Sequence, residues 1–290
     1  MDKALGWSFH LFTFRGIPVR AHWTLLIVEA YYLFSEPAHF ELSAIFAGAL
    51  FLSVLLHEFG HAFMTRALGG HADRILLWPL GGLAYVRHRG DLRDQIKISA
   101  AGPAVHIPIT LACIGGAVAL GAPFDWQYFS PFWTGMPSEF WPWALIGIAK
   151  IQIQLFLFNV FVPAYPMDGG KILVCTLLLL GFHRDKTARF TIGFSCLAGL
   201  VMMVLGGTLL IGLLLFYEAY RLHQLQQSGA LDAHPLFHGQ SSRIVPPKPR
   251  KKRRATHLRV VEGRTCPDCK RSVPPQAQMC GFCEKMLPKP

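Results

Sequence analysis

The stretch Ser53-Val54-Leu55-Leu56-His57-Glu58-Phe59-Gly60-His61-Ala62 lies inside an apolar run from Leu42 to Ala67. Ionisable residues in the middle of such a run are costly and need a partner or a cavity. On a helix, His57 and His61 stand one turn apart on one face, so both imidazoles can reach a single metal ion. Glu58 is turned beside them, placed to take a proton from a water at that ion. A bound zinc lowers the pKa of water to about 7 and polarises a carbonyl. The alternative for the same three residues is a set of buried polar groups that hydrogen-bond one helix to another.

The surrounding composition supports a membrane setting. Of the 290 residues, 16% are charged and 52% are apolar. Soluble domains carry about 25% charged residues. The charges are sparse from Met1 to Arg221, and beyond Arg221 the chain becomes polar and basic. The expected division is a membrane domain over 1–227, a basic, proline-rich linker over 228–262 and a small module over 263–290. Met1 to Arg20 lacks an apolar core followed by a small-residue cleavage site, so a secretory signal is not expected there. The alternation of His10, Phe12 and Phe14 with Leu11, Thr13 and Arg15 fits a short strand or an interfacial segment.

A spanning helix takes about 20 largely apolar residues. About six spans are expected, giving an all-α polytopic membrane protein. They run from His22 to Phe34, Leu42 to Ala67 and Ile96 to Leu120. A fourth runs from Phe140 past Asn159, breaks at Pro163 and Pro166, and resumes from Gly170 to Leu180. The last two share Phe190 to Tyr220, with Gly206-Gly207 as the turn, or form one long tilted helix. Ser35 to Glu41 and Gly121 to Phe140 have no Lys or Arg, whereas the alternate loops hold Arg15, Arg20, Arg66, Arg74, Arg87, Arg93, Lys97, Arg184 and Lys186. Positive residues accumulate on the cytoplasmic side, so both termini are expected there, most simply in a prokaryotic cytoplasmic membrane.

A catalytic zinc usually takes three protein ligands. A glutamate soon after His61 is absent, and Ala67 stands where a third histidine six residues on would be. The best third ligand is Asp168, in Asn159-Val160-Phe161-Val162-Pro163-Ala164-Tyr165-Pro166-Met167-Asp168-Gly169-Gly170. Non-helical backbone at membrane depth is tolerated only against protein or a wet cavity, so Asp168 is expected to face inward. A simple surface turn at Met167-Asp168-Gly169 is the competing interpretation.

With both motifs in hand, the sequence resembles the site-2 protease family of intramembrane zinc metalloproteases. The family's hallmarks are HExxH on one helix and N-x-x-P-x-x-P-[LM]-D-G on a later one. The second motif departs here by one residue, since Asn159 precedes Pro163 by four positions. Gly16 to Trp23, Pro79-Leu80-Gly81-Gly82 and Ala101-Gly102-Pro103 resemble further family segments. The resemblance covers roughly Phe14 to Tyr220 and leaves no room for a PDZ insertion, as in the compact branch. It implies zinc on His57, His61 and Asp168, Glu58 as catalytic acid/base, and Asn159 in substrate engagement. It also implies membrane-protein substrates and a membrane-associated β-hairpin-like loop. Where the family often has Asn after the third-span proline, this chain has His106. Lys150 in the fourth span is a further costly charge.

Between Arg74 and Val86, two apolar runs flank Pro79 and the pair Gly81-Gly82. This segment offers a strand edge to an extended substrate, or lies as an amphipathic loop on the bilayer. Seven cysteines are present. Cys113, Cys175 and Cys196 read as small buried hydrophobes. Cys266-Pro267-Asp268-Cys269 and Cys280-Gly281-Phe282-Cys283 have the spacing of a zinc ribbon with one structural Zn2+. A ribbon this small needs its metal to hold a core. The run Pro246 to Arg254 carries much of the net charge of +11. It suits a linker that touches anionic lipid, with nucleic acid or a protein partner as alternatives. A catalytically silent scaffold that recruits a partner through the ribbon, and a metal transporter, are the competing functions.

Overall fold

The computed structural model describes residues 7–35, 40–79, 81–88, 91–130, 132, 135, 137–205, 209–231, 234, 236–237, 264–270 and 272–273. The chain divides into two compact units, Met1–Gln240 and Ser241–Pro290.

The first unit opens with strands β1 (Ser8–Phe14) and β2 (Ile17–His22), joined by Arg15 and Gly16, both at positive φ. Two residues at positive φ give the tight turn whose twist suits a hairpin. Helices α1 (Trp23–Ser35) and α2 (Phe40–Ala67) follow, then β3 (His71–Trp78) and β4 (Gly81–Arg87). The four strands form one sheet in the order β1-β2-β3-β4, with β2 parallel to β3 and the other pairs antiparallel. The sheet is thus larger than the single hairpin expected. Its first half comes from the N-terminal segment, where Ile17, Val19 and Ala21 are buried and alternate with half-buried neighbours. Ile17 and Val19 join Ile75, Leu77 and Ala72 against Leu55, Phe59 and Ala62 of α2. This packing sets one edge of the sheet beside the histidines of α2.

Next come α3 (Leu92–Ala104) and α4 (His106–Ala119). Asp91 caps α3 through its carboxylate, which accepts from Arg93 N and Asp94 N at 2.9 and 3.1 Å. Those amides hold its carboxyl below the usual carboxylate range. The span expected from Ile96 to Leu120 is two helices that meet at Val105. Pro108 has no N–H to offer Ala104 four residues back, and its ring crowds that carbonyl, so the chain bends there. The bend leaves His106 as the first residue of α4.

Helix α5 (Phe140–Phe161) packs on α4 through Ile114, Ala117, Ile146 and Ala149. A proline-broken loop leads to α6 (Asp168–Leu179), then α7 (Arg184–Leu205) and α8 (Leu209–Gln227). The two last helices are separate and pack together, with Gly199 facing Gly212, so one long tilted helix is excluded. The turn expected at Gly206-Gly207 lies outside the described residues. Four stretches are long and apolar enough to cross a membrane: Phe40–Ala67, Leu92–Ala119, Phe140–Phe161 and Arg184–Val204. Helices α1 and α6, at 13 and 12 residues, are shorter than a span of about 20.

After α8 the chain returns to the helices. Leu231, Leu236 and Phe237 are buried against Val174, Cys175 and Leu178 of α6, Ala188 of α7 and Leu222 of α8. Arg184 Nη2 donates to Phe237 O at 3.2 Å. The His234 ring meets Tyr165 edge-on at 4.8 Å between centroids. Burial, with Arg221 nearby, holds the His234 imidazole down at about 4.

In the second unit, β5 (Arg264–Thr265) pairs antiparallel with β6 (Ser272–Val273). Between them Cys266 and Cys269 share a turn closed by Lys270 N donating to Cys266 O at 3.0 Å. Cys280 and Cys283, and the basic run Pro246 to Arg254, lie outside the described residues.

Candidate metal centre

Three side chains converge where α2, α3 and α6 meet. His57 Nε2 and His61 Nε2 are 3.0 Å apart. Asp168 Oδ2 is 3.0 Å from the first and 3.2 Å from the second. All three residues are buried. Zinc bonds of about 2.0–2.1 Å to N and O put neighbouring tetrahedral ligand atoms at about 3.3–3.4 Å. The triangle therefore has nearly the size of one face of a zinc tetrahedron. His61 Nδ1 lies 2.7 Å from Ile98 O, which can only accept, so Nδ1 carries the proton and Nε2 its lone pair. That lone pair and a carboxylate oxygen face each other without a proton to share, which suits a cation between them.

The sequence explains how the elements close in. Gly60 on α2 and Gly102 on α3 remove the side chains that would keep the two helices apart. A Cβ on Gly60 would sit 2.5 Å from Ala101 O. A Cβ on Gly102 would sit 2.3 Å from His61 Nε2 and 2.7 Å from His57 Nε2. Asp168 is the first residue of α6, reached after Pro163 and Pro166 have stopped α5. The expectation that it faces inward agrees with its 3% exposure.

Glu58 is placed differently. The ligand-type atoms of His57, Glu58 and His61 all lie within 4.8 Å of one another. Asp168 Oδ2 is nearer to both imidazoles than that limit requires, and completes a tighter triangle. Glu58 Oε2 instead accepts from Ala84 N at 2.7 Å. Ala84 belongs to β4, the edge strand, so this N–H points to the open side of the sheet. Gly82, two residues earlier, makes room for the contact, since a Cβ there would lie 2.2 Å from Glu58 Cγ. Gly81 pairs with Trp78 at the start of the strand. The side chain of Asn159 turns onto its own helix, with Nδ2 donating to Leu155 O at 3.0 Å.

Three neighbours, Lys171, His106 and Gln152, complete the surroundings of the triangle. Lys171 Nζ lies 3.0 Å from Asp168 Oδ1, which leaves Oδ2 for the imidazoles. A lysine three residues after an acid on an apolar helix was the available signal. His106 Nε2 lies 3.1 Å from His57 Nδ1, and His106 Nδ1 lies 2.7 Å from Gln152 Oε1. Gln152, on α5, gave no sequence signal.

Residues 45–206, which contain the histidine pair, its glutamate and the distant aspartate, match Peptidase family M50, and the chain belongs to that family. Among its relatives is a zinc metalloprotease of Methanocaldococcus jannaschii, 30% identical over 207 residues, or 70% of this chain and 55% of that protein. Stage IV sporulation protein FB of Bacillus subtilis is 27% identical over 136 residues, covering 43% of this chain and 37% of that protein. The chain thus spans about half the length, or less, of these curated relatives. The solved site-2 protease from Methanocaldococcus jannaschii superposes with a TM-score of 0.50 at 25% identity, over 77% of this chain and 95% of that one.

Proposed function

We propose that this chain is an intramembrane zinc endopeptidase that cuts peptide bonds in or near transmembrane segments of membrane-protein substrates. The observation that carries the reading is the 3.0–3.2 Å triangle of His57 Nε2, His61 Nε2 and Asp168 Oδ2 beside a Glu58 carboxylate held by Ala84 N. These three residues would hold the zinc. Zinc there supplies Lewis acidity and makes a nearby water easier to deprotonate. Glu58 takes the proton from the attacking water and returns it to the leaving amine nitrogen as the C–N bond breaks. Lys171 holds the far oxygen of Asp168, so the carboxylate presents one oxygen to the metal.

A peptide bond inside a helix is shielded by its own hydrogen bonds. The substrate must therefore unwind, and the open edge of β4 at Gly81 and Gly82 is a place for it to pair as a strand. Asn159 engages the same extended segment once its carboxamide leaves Leu155. Six spans, counting α1 and α8 with the four long stretches, would put both termini on the cytoplasmic side. The tail forms a zinc ribbon on Cys266, Cys269, Cys280 and Cys283 that binds a partner. The linker before it rests on anionic lipid through Arg250 to Arg254. No feature of the described residues favours a silent scaffold over this reading.

Glu58→Gln should keep the zinc content of the parent and lower cleavage of a transmembrane substrate by at least about 100-fold. Purified Glu58→Gln protein that still turns over would refute the mechanism.

A further inference from the structure

We propose that His106, Gln152 and Ser53 form a directional hydrogen-bond relay that presents His57 to the metal with its Nε2 unprotonated. The inference rests on the zinc reading above and concerns His106 as a positioning residue. His106 and Gln152 are each 1% exposed and Ser53 2%, so bulk solvent does not reach their polar atoms.

The direction can be worked out from the far end. Ala49 O has no proton, so the Ser53 hydroxyl donates to it. The Ser53 oxygen is then free to accept, and Gln152 Nε2 donates to it. That fixes the carboxamide with Oε1 toward His106. Oε1 can only accept, so the proton on the His106 ring sits on Nδ1, across 2.7 Å. His106 Nε2 therefore carries a lone pair, and His57 Nδ1 donates to it across 3.1 Å. With the His57 proton on Nδ1, its Nε2 lone pair faces Asp168 Oδ2 and His61 Nε2, where the metal would be.

The reverse direction is the wrong one for metal binding. Turning the Gln152 amide over would put a donor against His106 Nδ1 and move the ring proton to Nε2. His57 would then accept at Nδ1 and carry its own proton on Nε2, inside the ligand triangle. The turned amide also forfeits a bond at the other end, because the single Ser53 proton cannot serve both Ala49 O and Gln152 Oε1. The relay thus favours the metal-ready tautomer by one hydrogen bond, in a buried setting where each such bond counts for most. His61 reaches the same state more simply, through Ile98 O. Outer partners of this kind typically change metal affinity by about 10–100-fold when removed.

The test uses the full chain in detergent with Co2+ as probe. A thiolate site has d–d bands of its own, so the d–d bands of the histidine site are read in a Cys266→Ser, Cys269→Ser background, and thiolate charge-transfer bands report the ribbon in the parent. His106→Leu and Gln152→Leu should each weaken Co2+ binding at the histidine site by about 10–100-fold, with the thiolate bands unchanged. His106→Asn keeps an acceptor for the His57 proton and should restore affinity to within a few-fold of the parent. Ser53→Ala, the mildest change, should weaken binding by a few-fold only. Parent-like affinity in both leucine variants overturns the relay. Equal losses in His106→Leu and His106→Asn overturn it too, since the loss would then reflect packing and not proton direction. A separate arm checks the underlying reading: in the Cys266→Ser, Cys269→Ser background His61→Ala must abolish the d–d bands, and their survival would refute the metal site itself.

Discussion

Two pairs of helices approach closely over glycines, α2 with α3 and α7 with α8, and the obstacle a side chain would meet differs between them. At Gly102 a Cβ would press on the ligand nitrogens of His61 and His57, at 2.3 and 2.7 Å. At Gly212 it would meet Met203 Cγ at 2.3 Å and Gly199 O at 2.8 Å. The first approach makes space for chemistry, and the second makes space for packing. Small residues let helices approach in apolar surroundings, whatever the approach is used for. The lesson is that a glycine's role is read from what it leaves room for, not from the motif around it.

Gly102→Ala attacks the first approach and should have the largest effect. Metal affinity at the histidine site should fall by more than about 100-fold, with cleavage lost and the helices still folded by circular dichroism. Metal binding that survives intact would mean that α3 moves aside easily and that the comparison fails. Gly212→Ala attacks the second approach. The methionine can yield but the carbonyl of Gly199 cannot, so overpacking should cost about 1–3 kcal/mol of stability. Thermal unfolding in detergent measures it, and metal content should match the parent. Gly193, on α7, has nothing within 4 Å of an added Cβ. Gly193→Ala should change stability by less than about 1 kcal/mol, in the stabilising direction expected of a better helix former. A large loss there would show that glycines of α7 serve something besides packing on α8.

The sequence was most readable where a local rule and a membrane constraint agreed. His57, Glu58 and His61 stood out as charges inside an apolar helix, and Asp168 as an acid in a proline-broken span. Both rules concern a few adjacent residues. The sheet was half visible, because Arg74 to Val86 carries its own turn residues. Its partner strand β2 pairs with β3 in parallel, across α1 and α2, and no nearby residue announces a pairing at that range. The break at Val105 was present in Pro108 but was obscured by the apolar run around it. Gln152 and Ser53 could not be found, since a buried amide or hydroxyl takes its meaning from a neighbour on another helix. Ala84 was harder still, because its contribution is a backbone N–H and any residue but proline would supply it.

The long reach of these contacts bears on how the protein is made. Asp168 follows His57 by 111 residues. At 5–20 residues per second, a ribosome takes on the order of ten seconds to add that length. The sheet, too, waits for β4 before its edge can hold Glu58. Throughout that interval the nascent chain carries both histidines and the glutamate but lacks the third corner of the triangle. The metal centre of this M50 family member is thus incomplete until α6 has been made. Chain order alone therefore defers the closing of the triangle until Asp168 has been added.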